Sequence, residues 1–299
     1  MIEAAETAET GPAPSVTDRL SNAAFRALMA LALALPYRWR VPMTGWVVSR
    51  LLAPVLGYRR RVRENLALVR PDLPAHEVAR LSRAVPDNLG RTLAEIYSGQ
   101  EFIDRVKGIV LEGPGAAALE DARAAGRPVI LATGHFGNYD VARAALIARG
   151  YRVGGLYKPM KNRLFDAHYV QAISRLGTPL FSRSKRGLTQ MVRFLKSGGM
   201  LGIVSDQHVG HGADLRFFGL AAQTALSAAE LALKYDALLV PIYGIRQPDG
   251  LGFKILVEAP VPTGRAEVMT QALNDSLEAL VRTHMDQWFW VHRRWKKRR

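Results

Sequence analysis

The chain has 299 residues, of which 48% are hydrophobic and 22% are charged. This balance is typical of a globular protein with a sizeable core, arranged as one large domain or two modest ones. Cysteine is absent, which excludes disulfide bonds, thiolate metal sites and a cysteine nucleophile. The formal net charge of +15 favours acidic partners, such as nucleic acid, anionic lipid or an acidic protein.

The amino-terminal part of the chain divides into two segments. Residues 1–15 are acidic and rich in Ala, Pro and Thr, which predicts a disordered leader. Residues 16–58 contain two apolar stretches, 27–35 and 41–56, each shorter than the roughly 20 residues of a spanning helix. Because Trp39, Trp46 and several arginines accompany these stretches, we predict membrane-associated helices that lie in the lipid surface. A buried helical hairpin and a single tilted or broken membrane span are the alternatives.

Residues 59–299 are predicted to form one domain. The pattern is helical up to about residue 107, and beyond Gly126 short apolar strands alternate with helices. Strands are predicted at 128–132, 151–156, from 180, 201–205, 238–245 and 253–257. Helices are predicted at 140–149, 163–176, 188–196, 222–235 and about 267–290. This order favours an α/β fold with a mixed, largely parallel sheet flanked by helices.

The sharpest motif is TGHFGNYD at residues 133–140, which places His135 and Asp140 in an H-x4-D arrangement. An apolar strand leads directly into His135, glycines flank it, and a helix follows, so the motif lies where α/β sheets bind ligands. With His135 in the turn and Asp140 in the first helical turn, the carboxylate can orient the imidazole as a general base. The chain has no G-x-S-x-G motif, so the predicted nucleophile is a hydroxyl of the substrate. A structural histidine that caps the helix is the alternative.

Basic residues follow the next two strands at the same predicted sheet edge. Tyr157, Lys158 and Pro159 come after the second strand, and Arg183 and Arg186 come after the third. We predict that these cations bind a phosphate or a developing oxyanion.

Asp206 and Gln207 follow the fourth predicted strand. We predict that they line the same cleft as His135. Asp206, His208 and His211 are also residue types that bind metals, so a metal hydrolase is an alternative interpretation.

Five blocks of sequence together resemble the bacterial lipid A biosynthesis acyltransferases of the lauroyl/myristoyl type, within the wider H-x4-D/E lysophospholipid acyltransferase superfamily. The likeness extends from about residue 59 to 297. The blocks are Arg63-x-Asn65-Leu66 with Pro71 beyond it, GHFGNYD, Tyr157-Lys158-Pro159, Asp206-Gln207, and QWFWVHRRWK at 287–296.

The resemblance implies an enzyme without a cofactor or metal, at the cytoplasmic face of the cell inner membrane. It would move a fatty acyl chain from acyl carrier protein to a hydroxyl of a lipid A precursor. His135 would be the base and Asp140 its partner, while Phe136, Gly137 and Asn138 are expected to bind substrate.

This sequence departs from many of these relatives at two positions, with Asp140 where they have Glu and Lys158 where they have Arg. Some relatives also acylate mannosylated lipids, so the resemblance leaves the identity of the acceptor undetermined. A basic nucleic-acid-binding protein is the alternative from another class. It predicts aromatic residues interleaved with basic ones, a pattern confined here to residues 288–295, so no nucleic-acid partner is expected.

Overall fold

The computed structural model describes residues 13–296. The predicted leader lies outside the described residues except for its last three, as do the basic residues 297–299 at the carboxyl terminus. The helices are α1 (Val16–Leu33), α2 (Tyr37–Val47), α3 (Ala53–Val55), α4 (Tyr58–Val69), α5 (Ala75–Tyr97), α6 (Gln100–Val106), α7 (Ala116–Ala124), α8 (Val141–Ala148), α9 (Arg163–Leu176), α10 (Lys185–Lys196), α11 (Ser227–Tyr235) and α12 (Ala266–Thr283). A π-helical segment, Val48–Leu52, joins α2 to α3.

The strands form one seven-stranded sheet and a separate two-stranded hairpin. They are β1 (Leu111–Glu112), β2 (Val129–Thr133), β3 (Val153–Tyr157), β4 (Leu180–Ser182), β5 (Met200–Val204), β6 (Ala213–Phe217), β7 (Leu220–Thr224), β8 (Leu238–Arg246) and β9 (Phe253–Val257). The sheet order is β1-β9-β8-β2-β5-β3-β4, and every neighbouring pair is parallel except β8 and β9. The predicted mixed, largely parallel sheet is therefore confirmed.

Strand β2 occupies the middle of the sheet, and residues 129–132 are fully buried. A continuous apolar run suits this position, because a central parallel strand is covered by helices on both faces. On one face the core joins α2, α8 and α9 through residues such as Tyr37, Leu146 and Ile173. On the other face it joins α10 and α11 through residues such as Leu195 and Ala229. Four neighbouring strands of the sheet, β2, β5, β3 and β4, are parallel to one another. Their carboxyl ends therefore lie along one edge of the sheet, the open edge.

Two predicted helix boundaries are wrong. Residues 222–226 do not belong to α11, because residues 213–224 form the β6–β7 hairpin, which turns at Phe218 and Gly219 with positive φ angles of 54° and 75°. The last helix ends at Thr283 rather than near residue 290. Beyond it the chain turns inward, since Trp288 and Trp290 are buried against the aromatic side chains of the hairpin.

The amino-terminal helices pack on the domain through one side only. Helix α2 lies against α5, and a Cβ added at Gly90 would come within 2.7 Å of the Thr44 carbonyl oxygen, so glycine permits this close approach. The opposite side exposes large apolar residues, among them Trp39, Trp46 and Val55, which are 60%, 53% and 86% exposed. Within residues 13–296, no helix has the length and apolarity needed to cross a membrane.

Candidate active site

His135 lies in the loop that joins the end of β2 to α8. Backbone hydrogen bonds to the carboxyl-terminal segment hold this loop at the residues before and after Phe136. The Gly137 N–H donates to the Gln287 carbonyl at 3.0 Å, and the Phe289 N–H donates to the His135 carbonyl at 3.0 Å. Gly137 has a φ of 53°, and a Cβ there would come within 1.9 Å of the Gly244 carbonyl oxygen. This tight turn therefore requires glycine.

Asp206, at the end of the neighbouring strand β5, is the carboxylate that contacts His135. Its Oδ1 lies 2.7 Å from the His135 Nδ1, and its Oδ2 accepts the His135 backbone N–H at 2.8 Å. The indole N–H of Trp288 donates to the same Oδ2 at 2.8 Å. An ionised carboxylate only accepts hydrogen bonds, so the ring proton of a neutral His135 is on Nδ1 and Nε2 is free to act as a base.

The surroundings of Asp206 hold it in the ionised form. Burial raises its pKa, but the charge of His135 and the hydrogen bonds from His135 and Trp288 outweigh that effect and lower the pKa to about 2. The carboxylate is almost fully buried, whereas the side chain of His135 is 25% exposed. The negative charge of Asp206 is therefore held at the Nδ1 side of the imidazole, and the other side of the ring is accessible.

Gln207 lies on the accessible side of the imidazole. Its amide Nε2 is 3.4 Å from the His135 Nε2, and the residue is exposed. The rings of Tyr139 and Phe289 flank the imidazole, with centroids 5.4 Å and 6.0 Å away. The structure thus brings together His135, Asp206 and Gln207, as the sequence analysis placed them in one cleft.

The predicted contact between His135 and Asp140 is not formed. The Asp140 carboxylate accepts a hydrogen bond of 2.8 Å from the Arg143 guanidinium, which also donates to the carbonyl groups of Gly177 and Ile173. Asp140 immediately precedes α8, so its side chain meets the residue three positions later on the same helix face. The expectation that Asp140 orients the imidazole is wrong on this geometry.

Phe136, Gly137 and Asn138, which were predicted to bind substrate, are buried and support the loop instead. Phe136 is 1% exposed and belongs to the hydrophobic core. Asn138 is fully buried, and its amide donates to Glu95 at 2.9 Å. Glu95 in turn forms a buried ion pair with Arg246 of β8. Such residues fix the conformation of the loop rather than face the cleft.

The predicted cations lie farther along the open edge. Lys158, Arg183 and Arg186 are all exposed, and within residues 13–296 none of them forms an ion pair. Strand spacing of roughly 4.8 Å puts β3 about 10 Å and β4 about 14 Å from β2. Pro159 is exposed beside them, whereas Tyr157 is partly buried and its pKa is raised by that burial and by the charge of Asp166.

Comparison with known proteins identifies the family of this chain. A family model described as bacterial lipid A biosynthesis acyltransferase matches residues 15–297. The chain belongs to this family. It is 26% identical over 243 residues to the lipid A biosynthesis lauroyltransferase of Escherichia coli K12, covering 79% of this chain and 78% of that one. It is 25% identical over 243 residues to a phosphatidylinositol mannoside acyltransferase of Mycolicibacterium smegmatis, covering 80% of each. It is 24% identical over 268 residues to the E. coli lipid A biosynthesis palmitoleoyltransferase, covering 85% and 84%.

Asp206, His208 and His211 are not arranged as metal ligands in this structure. Within residues 13–296 no three His, Asp or Glu side chains are grouped so as to hold a metal ion. Both oxygens of Asp206 already accept hydrogen bonds. The backbone N–H of His208 donates to the imidazole of His292, whose pKa is lowered to about 4, chiefly by burial.

The sequence analysis did not predict the contacts that Tyr139 and Trp288 make in the candidate site. Tyr139 lies inside the H-x4-D motif and packs against the imidazole, while its hydroxyl meets that of Tyr169 at 2.9 Å. Trp288 lies in the carboxyl-terminal block that carried the resemblance, yet nothing in that pattern indicated that its indole reaches a carboxylate 82 residues earlier. The sequence analysis used the aromatic residues of this block only for the resemblance and for the nucleic-acid-binding alternative.

Proposed function

We propose that this protein transfers a fatty acyl chain from an acyl thioester to a hydroxyl group of a lipid A precursor or a related polar glycolipid. The observation that carries the proposal is the 2.7 Å contact of His135 Nδ1 with the buried Asp206, which leaves Nε2 as an accessible base. Membership of the lipid A acyltransferase family supports acyl transfer. Relatives named for lipid A and for phosphatidylinositol mannoside support a glycolipid acceptor.

The chemistry is a direct transfer. His135 Nε2 removes the proton from the acceptor hydroxyl as its oxygen attacks the thioester carbonyl, and Asp206 stabilises the imidazolium that forms. When the tetrahedral intermediate collapses, the C–O bond stays, the C–S bond breaks, and the imidazolium returns its proton to the departing thiolate. The exposed amide of Gln207 lies beside Nε2, where it can bind the acceptor hydroxyl or the oxyanion.

The proposed donor is an acidic acyl carrier protein. The segment from residue 167 to 205 contains no acidic residue, and the exposed side of α10 presents Lys185, Arg186 and Arg193. None of these three forms an ion pair within residues 13–296. Lys185 and Arg186 begin α10 beside Arg183, at the same sheet edge as His135, and Arg193 lies about two turns farther along the helix. We expect an acidic carrier bound at the start of α10 to have its thioester within reach of the site.

Charge reversal tests this part of the proposal. Replacing Lys185, Arg186 and Arg193 with Glu should raise KM for the acyl carrier protein at least tenfold and remove most of its salt dependence, because exposed charges act over a Debye length of about 10 Å. The control changes three exposed cations of α4 and α5, Arg60, Arg63 and Arg83, to Glu. Equal KM values for the two triple variants would refute donor binding at α10.

The proposed location is the cytoplasmic face of the inner membrane, with the amino-terminal helices in the lipid surface. Support comes from the exposed apolar side chains of this region, which include Trp46, Leu51, Val55 and Leu56. Arg50 lies among them and is exposed. Tryptophan, aliphatic and arginine side chains on one exposed surface suit the boundary between headgroups and acyl chains.

The deciding experiment is acyl transfer with purified protein. Acyl-loaded carrier protein is incubated with a Kdo-bearing lipid A precursor or with phosphatidylinositol mannoside, and products are identified by mass spectrometry. A mass increase of one acyl chain on one acceptor, lost in His135→Ala, is expected. Absence of product on both acceptors with folded protein and a detergent-dispersed substrate would refute the function.

A further inference from the structure

The chain after α12, residues 284–296, forms a strap that packs against the loop carrying His135. Its backbone contacts the loop on both sides of Phe136, through Gln287 and Phe289. Phe136 and Trp288 form an isolated antiparallel bridge. The strap is thus paired to the loop that carries His135, although about 150 residues separate them in sequence.

The Trp288 side chain connects this strap to the catalytic carboxylate. Its indole is 1% exposed, packs against Phe217 and Trp290, and directs its N–H to Asp206 Oδ2 at 2.8 Å. The same Oδ2 accepts the backbone N–H of His135, while Oδ1 accepts the imidazole. Three donors therefore fix both the position and the rotation of the carboxylate.

The strap is held in place by contacts that do not involve Asp206. The Asn65 amide of α4 donates to the carbonyl groups of Trp290 at 2.6 Å and His292 at 2.9 Å. The buried guanidinium of Arg294 donates to the Gln223 carbonyl of the β6–β7 hairpin at 2.7 Å. These anchors follow Trp288 in sequence, and the Gln287 side chain, which precedes it, exchanges hydrogen bonds of 2.8 and 2.9 Å with the backbone of Arg246. The indole is therefore held from both sides by contacts that are independent of Asp206.

We propose that Trp288 is a positioning residue, whose indole N–H holds Asp206 in the orientation that lets it direct and stabilise the His135 imidazole. The inference rests on the proposed acyl transfer for its kinetic consequences, but the hydrogen bond can be tested without activity. A buried carboxylate with fewer donors can rotate about its Cβ–Cγ bond, and loss of its orientation loses the alignment of the base. The hydrogen bond also stabilises the ionised form of Asp206.

The kinetic test uses two buried tryptophans of one hydrophobic cluster. Trp288→Phe removes the donor to Asp206, whereas Trp290→Phe removes a donor to the Met285 carbonyl at 2.6 Å. Both changes delete one buried indole N–H and similar volume. We expect kcat of Trp288→Phe to fall about 10- to 100-fold, with KM nearly unchanged. This is the range typical for loss of a hydrogen-bond partner that orients a functional side chain. We expect kcat of Trp290→Phe to stay within about twofold of wild type.

The pH titration of Asp206 separates positioning from packing. Burial raises the pKa of Asp206, and the contacts with His135 and Trp288 lower it to about 2. Removing one of these donors raises that pKa, so the Asp206 carboxylate, followed by ¹³C NMR over a pH titration, should titrate at higher pH in Trp288→Phe and not in Trp290→Phe. Equal losses of activity in the two variants, with identical titrations of Asp206, would overturn the proposal.

The activity-independent test is NMR of protein labelled with ¹⁵N at the indole nitrogens. Single Trp→Phe replacements of the five tryptophans assign each indole resonance, the last by elimination if one variant does not fold. In Asp206→Asn the Trp288 N–H resonance should move upfield, because its acceptor has lost its charge, while the Trp290 resonance stays in place. An unmoved Trp288 resonance would overturn the proposal. Absent acyl transfer in the wild type, with the shift observed, would instead refute the proposed function.

Discussion

Two buried carboxylates near His135 offer a direct comparison of catalytic and structural roles. Asp206 contacts the imidazole at 2.7 Å, and Asp140 contacts the Arg143 guanidinium at 2.8 Å. We predict that Asp206→Asn abolishes most of the activity with the fold retained. Asp140→Asn should chiefly lower stability.

The size of the Asp206 effect follows from the charge that develops on the imidazole. Two unit charges about 4 Å apart interact by roughly 4 kcal/mol at an effective dielectric constant near 20. At 1.36 kcal/mol per tenfold, this corresponds to a fall in kcat of about 10³-fold, within the range of about 10²–10⁴ for loss of general-base function. Asparagine also offers an N–H to Nδ1, which favours the wrong tautomer.

The Asp140 effect has a different origin. Without the carboxylate, the buried Arg143 charge is uncompensated, and breaking a buried ion pair in this way costs about 3–5 kcal/mol. Asp140→Asn should therefore lower the free energy of unfolding by that amount, while kcat per folded molecule stays within about tenfold of wild type. Asp140→Glu should recover part of the stability, because a longer carboxylate can still reach Arg143.

The assay is the initial rate of acyl transfer, normalised to folded protein, alongside urea denaturation of each variant. Circular dichroism identifies the fraction that is folded. The reasoning would be refuted if folded Asp140→Asn were as inactive as predicted for Asp206→Asn while Asp206→Asn retained full rate.

Three further outcomes are expected. His135→Ala should fold and lose about 10²–10⁴-fold in kcat; a folded variant with the wild-type rate would exclude His135 as the base. Asp206 ionises with a pKa near 2 rather than 3.8, so it contributes about 2 kcal/mol above pH 4 that is lost as the pH falls towards 2. The difference in unfolding free energy between wild type and Asp206→Asn should shrink over that interval, and a constant difference would contradict the lowered pKa. Trp46→Ser with Val55→Ser should reduce sedimentation with anionic vesicles relative to the control Val110→Ser with Val268→Ser, which changes exposed residues elsewhere; equal sedimentation would argue against this lipid-binding surface.

The sheet was predictable because its strands are bounded by local signals. The apolar run before His135 and the serine-glycine-glycine stop before β5 identify β2 and β5, and helix α9 begins and ends at its predicted residues, Arg163 and Leu176. The β6–β7 hairpin was not predictable in the same way. Its alanines read as helix formers, and the burial of Phe217 against Trp288 and Trp295 overrides that propensity.

The open edge of the sheet was predictable, but the partner of His135 was not. Sequence spacing favours the carboxylate five residues later, since it is the nearest acid in the motif. Parallel pairing of β2 with β5 places Thr133 beside Val204, and this register puts Asp206 next to His135 across 71 residues of chain. Local spacing cannot reveal which strands are neighbours, so a motif read along the chain selects the acid that is near in sequence.

Asp140, the acid of the motif, nevertheless stabilises the loop that carries His135. The Arg143 guanidinium links Asp140 at the start of α8 to the Ile173 and Gly177 carbonyl groups at the end of α9. Asn138, two residues after Phe136, links the loop to Glu95 of α5. These buried contacts support the loop in addition to the Trp288 strap, so several elements of the fold together fix the position of His135. The H-x4-D spacing on this account selects a loop conformation, and the charge that assists the base comes from the adjacent strand.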